Sequence, residues 1–143
     1  MNRKPWWTDH ALHWAFVVAL VATLGSLYFS EVMRFTPCSL CWFQRILMYP
    51  LVVILGIAAA RNDRGVVVYA LPLASIGAMF SLYHVLLQKM PWLKKAAPSC
   101  GQVPCETDYL NWFGFVTIPM LALTAFILII IILAMLARAE RRR

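Results

Sequence analysis

The sequence predicts an all-α membrane protein: a four-transmembrane-helix bundle with both termini cytoplasmic and two external loops carrying redox cysteine pairs. Three observations predict it. The 143-residue chain is 62% hydrophobic and only 13% charged, with a mean hydropathy of +0.73, whereas a soluble domain of that size needs far more polar surface. Its apolar residues fall into four runs, each near the roughly 20 residues that cross a hydrocarbon core as a helix. Its Lys and Arg residues gather at the ends of those runs, where membrane topology signals lie. The formal charge of +7 is therefore read as a topology signal. No basic stripe is interleaved with polar structure, so nucleic acid is not an expected partner.

The first run, about 12–30 (LHWAFVVALVATLGSLYFS), exceeds the usual 7–15-residue core of a signal peptide. No A-x-A-like cleavage site follows, so it is read as a helix. The second, about 42–60 (WFQRILMYPLVVILGIAAA), starts directly after a Cys-x-x-Cys pair. A tight RNDRG turn separates it from the third, about 66–88 (VVVYALPLASIGAMFSLYHVLLQ). The last run, about 112–136 (WFGFVTIPMLALTAFILIIIILAML), leads into a basic C-terminal segment. Pro50, Pro72 and Pro119 would break soluble helices, but a transmembrane bundle tolerates proline where neighbours satisfy the freed carbonyls. The chain is thus read as one integral-membrane domain, 1–143, with external loops at about 31–41 and 89–111.

Orientation follows from the cations. Eight of the thirteen Lys and Arg residues (Arg3, Lys4, Arg61, Arg64, Arg138, Arg141, Arg142 and Arg143) fall on one side. The positive-inside rule puts that side, with both termini and the RNDRG turn, in the cytoplasm. Cys38, Cys41, Cys100 and Cys105 then lie at the external face, where disulfides form and persist.

Four cysteines in two close pairs, CSLC and CGQVPC, read as two disulfides or as one four-sulfur metal site. The oxidising compartment and the six-residue second pair weigh against zinc. Short rings remove little loop entropy, which weighs against purely structural staples and favours redox use. In the second pair Gly101 permits a tight turn and Pro104 holds Val103 extended, so the intervening tetrapeptide can fold the two sulfurs together. A small exposed ring of this kind is the labile, catalytic sort of disulfide. The preceding QKMPWLKKAAPS suits a short segment lying in the interface, or a linker with an interfacial Trp.

Arg45 stands one helical turn beyond Cys41. Intramembrane charges mark function and face the bundle, the alternative here being snorkelling to the nearby boundary. His84 falls at a matching depth on the third helix, where an interhelical hydrogen bond is the simpler reading. Two such groups beside a redox thiol suit hydrogen bonding to the carbonyl oxygens of a lipid-soluble quinone. Arg45 also favours the Cys41 thiolate, the form that attacks.

The stretches CSLCWFQRILMYPLVVILGI, SLYHVLLQ and CGQVPC resemble the DsbB/BdbC family of disulfide-bond formation proteins, and its short BdbC-type branch in particular. The similarity spans nearly the whole chain. What the resemblance implies is a multi-pass enzyme of the bacterial cytoplasmic membrane, supporting disulfide formation in exported proteins. It would reoxidise a DsbA- or BdbD-like thioredoxin-fold thiol oxidase and pass the electrons to membrane quinone, menaquinone or ubiquinone, with no metal. By the same resemblance Cys41 is the cysteine nearest the quinone and Cys38 its partner. Cys100 is the loop cysteine attacked by the partner oxidase, and Cys105 the one that exchanges with Cys38. Arg45 and His84 match the family's quinone-site arginine and histidine. Gln44 stands where the longer branch has Glu and receives no role. Two other readings are a non-enzymatic membrane protein with a four-cysteine metal site and a vitamin K epoxide reductase-like quinone reductase. In the latter the Cys-x-x-Cys pair closes the last helix, whereas here it opens the second.

Overall fold

Residues 6–34, 39–90, 92–93 and 118–142 are described by the computed structural model. Among them four long helices occur and no strand: α1 (Trp6–Glu31), α2 (Ser39–Arg61), α3 (Val67–Lys89) and α4 (Ile118–Arg141). Each is long and apolar enough to cross a membrane. They close a ring in which α1 packs on α2 and α4, and α3 packs on the same two helices. Large apolar residues such as Val21, Val53, Tyr69 and Met79 stay exposed on the outside of the ring. Water would not tolerate that surface, whereas hydrocarbon does.

Two helices outrun their apolar segments. α1 begins at Trp6 rather than near 12, and α4 continues to Arg141 rather than ending near 136. An ion-pair cluster accounts for both extensions. Arg64 donates through Nη2 to Asp9 at 2.7 Å and through Nη1 to Glu140 at 2.5 Å. Asp9 lies near the start of α1 and Arg138 and Arg141 in the last turn of α4, the charge signs that complement each helix dipole. The start of α1, the α2–α3 turn and the end of α4 are thereby fastened together at one end of the bundle, hereafter the clamped end.

The RNDRG turn is tight for a stated local reason. Asn62 takes the left-handed conformation (φ 51°), which asparagine tolerates better than most residues. The Asp63 N–H then reaches back to the Ala58 carbonyl at 3.0 Å, and Asp63 Oδ1 accepts from the Gly65 N–H at 2.9 Å. The second bond starts a single 3-10 turn, Arg64–Val66, that runs into α3. Pro50 and Pro72 lie inside α2 and α3 and are exposed on the outer surface. Pro119 sits in the opening turn of α4, where a missing N–H leaves no bond unmade.

The core is densest toward the clamped end. Ala11, Ala15 and Ala19 present a small-residue face on α1, and Ala70 and Ala74 do so on α3. Such faces let backbones approach closely, which is how helices associate in lipid. Leu51, Leu55, Leu133 and Leu136 are fully buried between them. Phenylalanines fill two glycine gaps: Phe16 lies against Gly56, and the fully buried Phe126 of α4 lies against Gly77 of α3.

Candidate active site

Cys41, in the first turn of α2, is followed by Gln44, Arg45 and Met48 on the same helical face. That face joins α1 and the first half of α4 around a cavity of about 530 Å³. The cavity is centred toward the end of the bundle opposite the Arg64 cluster, hereafter the open end, and along α1 it reaches back as far as Trp14. Its walls are mainly apolar, with Val18, Ala22, Phe29, Met48 and Phe126 among them. Cys41, Gln44, Arg45, Ser26 and Thr124 supply its polar groups. Trp14, Val17 and Val21 of α1 and Leu121 and Leu128 of α4 line it and are also exposed on the outer surface. The cavity therefore opens sideways between α1 and α4, on the face that hydrocarbon would cover.

Arg45 is held against α1. Its Nη2 donates to the Ser26 carbonyl at 3.1 Å and to the Ser30 hydroxyl, and its guanidinium carbon lies 5.7 Å from the centre of the Trp42 ring. Both bonds use Nη2, and a guanidinium carries five N–H donors, so Arg45 keeps further donor capacity where it lines the cavity. The positive end of the α2 dipole, with this cation one turn on, is an electropositive setting for the half-buried Cys41. On its other side Cys41 packs with Phe80 and Leu93 against buried Leu40 and Leu87.

His84 is 1% exposed and does not line the cavity; Gln44, 6% exposed, stands between. Gln44 Nε2 lies 3.1 Å from His84 Nδ1. With the amide donating, the imidazole carries its proton on Nε2. Ser81, His84 and Gln88 follow one another along the inner face of α3, and Ser81 Oγ and Gln88 Oε1 are buried with no hydrogen-bond partner among the described residues. The α2–α3 side of the open end is thus a polar seam behind an apolar cavity. Gln44 is the residue that sequence reasoning passed over. Its signal was a second polar side chain beside Arg45, one turn from Cys41 in an otherwise apolar run. Cys38, Cys100 and Cys105, most of the 89–111 loop and the 112–117 start of the expected fourth helix lie outside the described residues.

The family model described as disulfide bond formation protein DsbB matches residues 8–137. The chain belongs to the DsbB family. It is 57% identical over 121 residues to a Bacillus cereus protein named probable disulfide formation protein C, covering 85% of this chain and 87% of that one. It is 58% identical over 125 residues to disulfide bond formation protein C of Bacillus subtilis, covering 87% and 91%. A probable disulfide formation protein of Coxiella burnetii is 47% identical over 121 residues, covering 82% and 80%. No solved structure matches the chain. Membership makes this DsbB-family chain a membrane thiol oxidoreductase of disulfide bond formation.

Proposed function

We propose that the chain oxidises the dithiol of a DsbA- or BdbD-like thioredoxin-fold oxidase at the external face of the bacterial cell membrane, and passes the electrons to membrane quinone. One observation carries this reading: Cys41 and Arg45 share a cavity that is apolar, side-opening and about 530 Å³ in volume. Lipid-soluble quinone fits that chemistry, because its head group needs apolar walls and a few donors for its two carbonyl oxygens. When bound, quinone supplies a two-electron, two-proton acceptor, so that two thiols become one disulfide as it becomes quinol.

The chain's own residues do the rest. Cys100 and Cys105 take the electrons of the partner by thiol–disulfide exchange and hand them to Cys38 and Cys41 in a second exchange. Cys41 presents its sulfur to the cavity. Arg45 donates a charge-assisted hydrogen bond where negative charge develops, and its bonds to Ser26 and Ser30 fix its direction. His84 acts from behind Gln44, oriented by the bond to its Nδ1. The apolar walls keep water away from the transfer. Arg61, Arg64, Arg138, Arg141 and Arg142 at the clamped end favour placing that end in the cytoplasm, which turns the open end outward.

Paired variants of the purified protein test the relay. With Cys100 and Cys105 both changed to Ala, quinone still oxidises Cys38 and Cys41 while oxidation of the partner stops. With Cys38 and Cys41 changed to Ala, electron flow to quinone ends. Full turnover by either double variant overturns the relay. A membrane-impermeant maleimide applied to intact, reduced cells should label the protein; labelling that requires broken cells overturns the orientation.

A further inference from the structure

Three glycines stand inside the described helices, and two have a packing reason. A Cβ added at Gly56 would lie 3.0 Å from Phe16 Cε2, and one added at Gly77 would lie 2.3 Å from Phe126 Cε1. Gly25 differs. A Cβ there would meet nothing within 4 Å, and the residue sits well inside α1, in ordinary helical backbone. Neither neighbours nor conformation ask for glycine at this place, yet glycine is less favourable than alanine in a helix interior.

The cavity supplies the reason. Gly25 lines it and directly precedes Ser26, whose carbonyl receives Arg45 Nη2 at 3.1 Å. The space its side chain would take is cavity space at the level of the guanidinium. Ala22, one turn earlier, is also small and lines the same wall. We propose that Gly25 is a specificity-determining residue. By leaving this wall bare beside Arg45, it sets how bulky a quinone ring the cavity admits there. The inference rests on the quinone reading above and adds to it which residue limits the size of the ring. A leucine side chain carries as many carbons as a fused second ring adds, so leucine at 25 would take up about the space that the second ring needs.

The test uses the purified full chain with Gly25→Ala and Gly25→Leu. The probes are menadione, which has two rings, and toluquinone, which has one ring and the same single methyl group. Binding is read by quenching of tryptophan fluorescence, since Trp14 lines the cavity, and steady-state KM is measured beside it. Gly25→Leu should weaken menadione roughly 10-fold or more and toluquinone by less than about 3-fold, the range that pocket-size discrimination reaches. Gly25→Ala should show the same order at smaller amplitude without lowering the melting temperature, so the inference stays testable if the leucine variant melts early. Equal losses for both quinones, or none for either, overturn it. A wild-type chain that binds neither probe overturns the quinone reading itself, and this inference with it.

Discussion

At the clamped end, Ala11, Ala15 and Ala19 draw α1 onto its neighbours, Leu55, Leu133 and Leu136 are fully buried, and Arg64 ties two helix ends together. At the open end the same helices stand around a cavity, and the buried side chains include Gln44, Ser81 and His84. An underfilled, polar region contributes little to holding helices together in lipid, where association rests on close packing. The bundle therefore keeps its cohesion at one end and the cavity that Cys41 and Arg45 line toward the other. Each substitution below tests that separation, from the largest expected effect to the smallest.

Cys41→Ala should abolish quinone reduction while leaving the melting temperature close to wild type, because half-buried Cys41 belongs to the open end. A collapse in stability would show that the open end also carries the fold. Arg45→Ala should lower kcat/KM for quinone by about 10- to 150-fold, the worth of a charged hydrogen bond. Arg45→Lys should recover part of that, since it keeps the charge and loses the planar fork. Unchanged quinone kinetics in both would leave Arg45 as only a tie to α1.

Gly77→Ala tests the boundary between the regions. Its Cβ cannot coexist with the Phe126 ring at 2.3 Å, and overpacking of this kind costs about 1–3 kcal/mol. Phe126→Leu in the same chain should recover much of the loss in a denaturant titration, whereas simple additivity of the two changes would refute the clash. Gln44→Leu should cost about 0.5–1.5 kcal/mol, the net worth of its bond to His84, and should lower kcat for quinone as His84 loses its orientation. A variant with wild-type kcat would separate His84 from catalysis. Arg64→Ala should have the smallest effect, about 0.2–1 kcal/mol for each partly exposed ion pair, with quinone turnover unchanged. Lost turnover in a folded Arg64→Ala protein would show that the two ends are coupled.

Much of this was legible in the sequence, for identifiable reasons. Apolar runs of membrane-spanning length announce themselves one by one, so the four helices could be read without knowing their neighbours. That Arg45 faces the bundle was legible because intramembrane charges turn away from lipid, and the depth match to His84 because helix rise is constant. Gln44 was not assigned, since its meaning depends on which residue of α3 faces it, here His84 at 3.1 Å. The reach of α1 back to Trp6 and of α4 out to Arg141 was missed for a similar reason. Asp9 and Glu140 look like surface charges until Arg64, distant in sequence, comes between them. The cavity, made by three helices together, leaves no trace in any single run.

Phe126 belongs to both regions at once: its ring rests on the backbone of Gly77, and the same side chain borders the cavity. Positions 77 and 126 therefore form one heritable unit. A lineage that enlarges residue 77 has to shrink residue 126, and a smaller residue 126 leaves a roomier cavity. A repair of helix packing at 77 can thus reshape the cavity as its by-product.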